Sequence, residues 1–480
     1  MRLHKTSSFL ICSLVFILLM NSCKDLSKVN ENSQDIISVE YPETYELSNI
    51  ILALTDYGKT DETEVRKGFD YYDKVQEYFK SVSDHPLLDS VNFSREKWAS
   101  YLSFRTDSYA FEFDENNQLR RGFKFFTNEG FQPFDQHLDL INDFVKASNF
   151  REFFQQNQEY YNTISQDYKR TQYIKEMMKF LDKEFGDQYE KDDQYKIVLS
   201  PFVGRMNCHR DIDSITAADF ITIPNYVIFD SIPASKEQVA KSIHNLFTEM
   251  DHGYVNPTTT LYGDLVQKNF NAELWDRNSG YNEEEGFGVF NEYMTWAVYD
   301  IFLRQYFPEF ADKLGLYWSY QNDSRGFKYS HVFSQQLLHL YEQKQDHESI
   351  IDLYPKLLEW TSNVENTLSK PEITSTRSIP IQNSQDKTQI VISFSERMHQ
   401  TAVISTLFQD GDGNKKVVEL NVTDHNLKWE EDGMRVKFEI NLPEDWENHY
   451  FQFNWWRLDN PLKSEKSVLM KYGTFFKMND

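Results

Sequence analysis

Between about Ser38 and Lys370, apolar residues recur at the three-and-four spacing of helices, with charged positions between them. Stretches such as Phe150 to Phe185 and Tyr329 to Leu340 contain no glycine or proline, so nothing inside them punctuates a helix. Most of their aromatic side chains fall on the apolar stripe and read as core. Two runs depart from this texture: Tyr195 to Ser200 and Phe220 to Phe229 are rich in β-branched and aromatic residues and predict strands. Pro224 would make the second an edge or bulged strand, because proline cannot donate to a ladder. From Pro371 the pattern changes to short alternating runs: Thr388 to Phe394, Lys415 to Val422, Arg435 to Ile440, Tyr450 to Trp456 and Ser467 to Phe476. Turn clusters at 410–414 and 430–433 separate them, which predicts a β-sandwich. The fold class is therefore α+β, with an α-rich body over 38–370 followed by a small all-β domain over 371–480.

Two helices draw attention within the body. Ser235 is a cap signal, followed by apolar positions at Val239, Ile243, Leu246, Phe247 and Met250, and Gly253 with Pro257 just beyond predicts the end of that helix. A second helix is predicted from Glu283 to Tyr306, opened by the acidic run 283–285, which suits the positive end of a helix dipole.

Charge narrows the partners. The formal net charge is −25, and so acidic a surface repels nucleic acid, whose binding rests on basic contacts to phosphate. With 38 Phe and 28 Tyr there is aromatic surface enough for one large domain and a smaller one. The cysteines are Cys12, Cys23 and Cys208, which rules out an internal disulfide framework once the first two are assigned to the N-terminal segment. That segment has a basic start, Met1-Arg-Leu-His-Lys5, and an apolar run from Phe9 to Leu19 that is shorter than the ~20 residues a membrane span needs. Met20-Asn-Ser-Cys23 follows at once. The arrangement resembles a bacterial lipoprotein signal, which implies removal of residues 1–22 and lipidation of Cys23. It also implies a tether over 23–37 and a chain held by its lipid at the outer membrane, facing the periplasm or the cell surface.

The chemistry centres on Thr248-Glu-Met-Asp-His252. Zinc peptidases of the H-E-x-x-H type place two histidines four apart on one helix face to hold Zn²⁺, and the glutamate after the first activates water. Glu249 and His252 are in place here, whereas threonine occupies the first histidine position. Downstream, Asn291-Glu292 lies on the second helix. Together with Val255-Asn-Pro257 and the N-terminal signal, this pattern resembles an uncharacterised family of bacterial envelope proteins, domain of unknown function 4932. Its members look like gluzincin-type zinc metallopeptidases carrying H-E-x-x-H-x-x-V-N-P. The resemblance covers roughly residues 40 to 370 and implies a zincin-like fold with His252 as a zinc ligand, Glu249 as general base and Glu292 as the last protein ligand. At the other end of the chain, Pro371-Glu-Ile-Thr-Ser-Thr and Ile392 to Met398 resemble the bacterial Ig-like modules of S-layer and envelope proteins, which act as spacers or binding platforms.

Three functional classes follow. In the first, a peptidase-fold protein impaired in zinc binding keeps a cleft for peptide or another envelope component. In the second, an active metal-dependent peptidase uses another ligand set. His244 is too far along the helix for that, since eight residues rise about 12 Å. The i, i+3 pair Glu249 and His252 could join Glu292 around Mn²⁺ or Fe²⁺, and His85, His209 and His331 are the other histidines considered as substitutes. The third class is a structural or adhesive surface module led by the β-domain. Cys208 beside His209 does not read as a thiol–imidazole pair, because neighbours on a strand face opposite ways. The chain has no glycine-rich phosphate loop and no G-x-S-x-G elbow.

Overall fold

The computed structural model describes residues 37–477 apart from 126–132, 187–193, 214–215, 230–232, 277–278, 280–285, 365–366, 383–386, 410–411, 442–449 and 456–457. Cys23, the signal and almost all of the tether lie outside the described residues, as does the acidic run 283–285.

A four-stranded sheet organises the body. Its strands are β1 (Ile37–Glu40), β2 (Gln194–Leu199), β3 (Cys208–Asp211) and β4 (Thr216–Ile221), in the order β1-β2-β4-β3. The first three in that order run parallel, and β3 closes the edge antiparallel to β4. Alternation along the strands sends Tyr195, Ile197, Leu199, Ala217 and Ile221 to one face and Val198, Ala218, Phe220 and Cys208 to the other. Both faces are covered, as parallel strands require. Helix α1 (Glu43–Leu54) and the aromatic-rich helices up to Phe154 cover the second face.

The first face receives the remaining helices. These include α2 (Ile174–Phe185), α3 (Lys236–Ser242), α4 (His244–Met250), α5 (His252–Leu261), α6 (Phe287–Tyr306), α7 (Ala311–Arg325), α8 (Ser330–Gln343) and α9 (Ile350–Val364). No helix among the described residues is long and apolar enough to cross a membrane.

Ser235 opens α3 with a full capping box, accepting from Gln238 N–H while the Gln238 side chain accepts from Ser235 N–H. The predicted stop at Gly253 does not occur. Ile243 and Asp251 are helical in φ and ψ, so α3, α4 and α5 follow one another as a stepped helical run that carries Pro257 inside it. Burial of Tyr254, Val255, Thr258 and Thr259 outweighs the one backbone bond that proline removes. The predicted strand over Phe220 to Phe229 is also corrected: β4 ends at Ile221, and Pro224 instead precedes a single helical turn, Asn225–Ile228. Helix α6 begins at Phe287 behind Gly286, whose φ of 88° suits glycine.

The C-terminal domain comprises β5 (Ile373–Pro380), β6 (Lys387–Phe394), β7 (Val403–Gln409), β8 (Lys415–Asn421), β9 (Lys428–Glu430), β10 (Arg435–Asn441), β11 (Tyr450–Gln452) and β12 (Phe475–Lys477). They form two antiparallel sheets, β9-β10-β6-β5 and β8-β7-β11-β12, around a shared core that includes Ile392, Phe394, Ile404, Leu420, Phe438 and Phe451. This domain is docked on the body. Asp323 of α7, paired with Lys370 at the end of the body, accepts from Tyr472 N–H of the sandwich at 3.0 Å, Lys466 donates to the Thr367 carbonyl at 2.9 Å, and Val468 enters the body's core.

Candidate functional site

Helix α4 lies across β4 and β3, and α6 runs beside it, so residues far apart in sequence meet around Glu249 and His252. His252 opens α5, and its Nε2 stands 3.5 Å from Glu292 Oε1 on α6. Its Nδ1 is 3.3 Å from Asn256 Oδ1, one turn along the same helix. Two of the three residues singled out by the zinc-peptidase pattern thus converge.

Position 248 behaves differently. Thr248 is buried, and its hydroxyl donates back to the His244 carbonyl at 3.0 Å, the usual resting place for a threonine within a helix. The second oxygen of Glu292 faces a cation from α7, with Arg325 Nη2 3.9 Å from Oε2. Among the described residues, no group of three His, Cys, Asp or Glu side chains stands where it could hold a metal ion.

Glu249 faces the sheet. Burial pushes its pKa up to about 8, with the carboxylates of Asp219 and Glu292 adding to the shift and His209 and Arg210 opposing it. Asp251 is completely buried, neither carboxylate oxygen has a hydrogen-bond partner, and burial followed by the charge of Glu249 holds its pKa well above the usual carboxylate range.

The sheet supplies the counter-charge. His209 on β3 pairs in register with Asp219 on β4, and the two side chains meet on the face toward α4 with Nδ1 2.7 Å from Oδ1. Nε2 lies 3.3 Å from Asp211 Oδ1, so both ring nitrogens are engaged. Burial alone would lower the His209 pKa, but Asp219 and Asp211 outweigh it and carry it up to about 10. The other oxygen of Asp219 accepts from the Tyr195 hydroxyl. The site is therefore a nest of carboxylates with a protonated imidazolium in its wall.

The other histidines lie elsewhere. His85 caps the helix Pro86–Ser90 on the opposite side of the sheet, with Nε2 3.1 Å from Asp143. His244 stacks on Trp318 with ring centroids 3.5 Å apart, and burial takes its pKa down to about 3. His331 lines a separate cavity. Cys208 points into the far core, where burial raises its thiol pKa to about 12, while His209 points the other way.

Sequence reasoning missed Asp219, Asp211, Arg210, Asp251 and Arg325. One signal was available for the first: Asp219 is a lone acid in the apolar run Ala217-Ala-Asp-Phe-Ile221, and an unpaired aspartate there would be costly.

No curated protein matches this chain. Residues 127–360 match the family model described as Domain of unknown function (DUF4932), so the segment that holds His209, Asp219, Glu249, His252 and Glu292 carries that domain.

Proposed function

We propose that the chain is a lipid-anchored cell-envelope protein whose central domain is a gluzincin-type metallopeptidase fold, degenerate in zinc binding, that holds peptide or another envelope component in its cleft. The observation that carries the reading is the state of position 248. A zinc-peptidase helix needs two imidazoles one turn apart. Here the first position offers a neutral hydroxyl already committed to the His244 carbonyl. The residues do not fit zinc.

What the arrangement suits is recognition. β3 is the terminal strand of its sheet among the described residues, and one of its edges pairs with β4. An extended backbone could add to the other edge, with the carboxylates around Glu249 and the exposed Arg325 supplying polar contacts. The Ig-like reading of the C-terminal sandwich belongs to the same proposal, as a platform that presents the body away from the membrane.

Zinc calorimetry tests the central claim. The mature protein should bind zinc substoichiometrically, whereas Thr248→His, which recreates an i, i+4 histidine pair backed by Glu292, should gain affinity steeply. Structural zinc sites release on the order of 10 kcal/mol, so even a partial site would register. A firmly held equivalent in the unaltered protein would promote an active enzyme with another ligand set. A folded Thr248→His variant that binds no better would remove the gluzincin assignment. The anchor is tested apart from this: Cys23→Ala should leave the protein soluble and folded, and full retention on membranes at high salt would sink the lipoprotein reading.

A further inference from the structure

We infer that a second ligand site lies between the helical body and the β-sandwich, where a cavity binds a small carboxylate-bearing molecule on Lys463. The cavity, about 290 Å³, is walled by Asp300 and Arg304 of α6, Gly315 of α7, His331 and Gln335 of α8, and Lys463 from the sandwich. It is independent of the reading given for Glu249 and His252, since Asp300 lies eight residues, about 12 Å of helix rise, beyond Glu292.

Charge selects the ligand. Arg304 already has a counter-ion, Asp312, at 2.6 Å. Lys463 is only partly exposed, and burial lowers its pKa against the charge of Asp312, which also lines the cavity; no ion pair within 4 Å joins Lys463 to another of the described residues. An ammonium drawn out of water without a partner is unfavourable, and an anion in the cavity would offset that cost. Asp300 does not fill the role, because its partners are Ser334 and Arg304 rather than Lys463, and burial takes its pKa up to about 7.

The neutral groups refine the class. His331 is 6% exposed and its Nε2 has no hydrogen-bond partner. Burial, with the nearby Lys463 charge, takes its pKa down to about 3, so at neutral pH it can donate or accept one bond without adding charge. Gln335 adds an amide. With the Arg304–Asp312 pair neutral in sum and Asp300 the remaining acid of the wall, one cation beside neutral donors matches a monoanion with a neighbouring hydroxyl better than a dianion. The volume sits at the bottom of the ~300–1,000 Å³ range of ligand pockets, which favours a small organic acid over a polymer. Gly315 keeps the space open: a Cβ there would lie 3.2 Å from Asp300 Oδ1.

Calorimetry on the full mature chain at pH 7, with lactate, acetate and inorganic phosphate as probes, tests this site. Lactate should bind saturably and more tightly than phosphate, and it should raise the melting temperature of the unaltered protein. Lys463→Met should weaken lactate about tenfold or more, as expected for loss of a charged hydrogen bond, and Gln335→Leu should weaken it less. If Lys463→Met loses its cooperative melt, Lys463→Gln carries the same expectation. Absence of saturable carboxylate binding at tens of millimolar, tighter binding of phosphate, or undiminished binding in a folded Lys463 variant would each overturn the proposal.

Discussion

At Glu249, burial and the carboxylates of Asp219 and Glu292 favour the protonated acid, while His209 and Arg210 favour the anion, and burial prevails. The folded state then holds a proton between the ordinary value of 4.5 and about 8 that the unfolded chain has already released. Stability must therefore fall as pH rises through that window, at no more than about 1.4 kcal/mol per pH unit for one group. Asp251 acts with the same sign. His209, also raised on folding, contributes stability below its ordinary 6.5 that is lost as pH climbs through about 10, so the two residues overlap only above 6.5. The interval from about pH 5 to 6.5 is thus free of His209, although His244 and His331, lowered on folding, contribute there with the opposite sign. Glu249→Gln keeps the shape and cannot ionise, so across that interval its stability in urea unfolding should have a less negative slope against pH than the parent's, the histidine contribution being common to both. Parallel curves would mean that Glu249 is already ionised in the folded protein.

Elements were legible where the signal is local. The Ser235 cap, the helical body and strands β6, β8, β10 and β11 follow from periodicity and turn chemistry within a few residues, whereas β7 and β9 were not predicted and, of the strand expected over Ser467 to Phe476, only the end forms one, as β12. The errors arose where tertiary burial overrides local preference. Gly253 and Pro257 are helix breakers by propensity, yet α5 runs through both because Tyr254, Val255, Thr258 and Thr259 on the same turns are buried. Pro224 divides what reads as one apolar run into the end of β4 and a helical turn. Strand β5 was not predicted, since Ile373-Thr-Ser-Thr-Arg-Ser-Ile-Pro is mostly polar and it is an edge strand whose residues all retain some exposure. The site divides along the same line. Proximity of His252 to Glu292 was expected only through the family resemblance. The His209–Asp219 pair depends on the register between β3 and β4, and the Arg325 contact depends on the position of α7 against α6. Neither relation is written in any short window of sequence.

At the scale of the whole molecule, the linkage between the body and the sandwich matters most, because the cavity at Lys463 exists only while the two are docked. Asp323 is central to that docking: its side chain is 8% exposed, it pairs with Lys370 beyond the end of α9, and its Oδ2 receives Tyr472 N–H at 3.0 Å. Removing one partner of a buried pair leaves the other charge uncompensated and typically costs about 3–5 kcal/mol. Asp323→Ala should therefore separate the melting of the two units in scanning calorimetry, with the sandwich unfolding first, whereas the parent should melt in one transition. Asp323→Asn retains an acceptor for Tyr472 but loses the ion pair, and it should fall between the two. If Asp323→Ala melts at the parent temperature in one transition, the units are held by their apolar contact around Val468 instead. The cavity at Lys463 would then owe its shape to packing rather than to this ion pair.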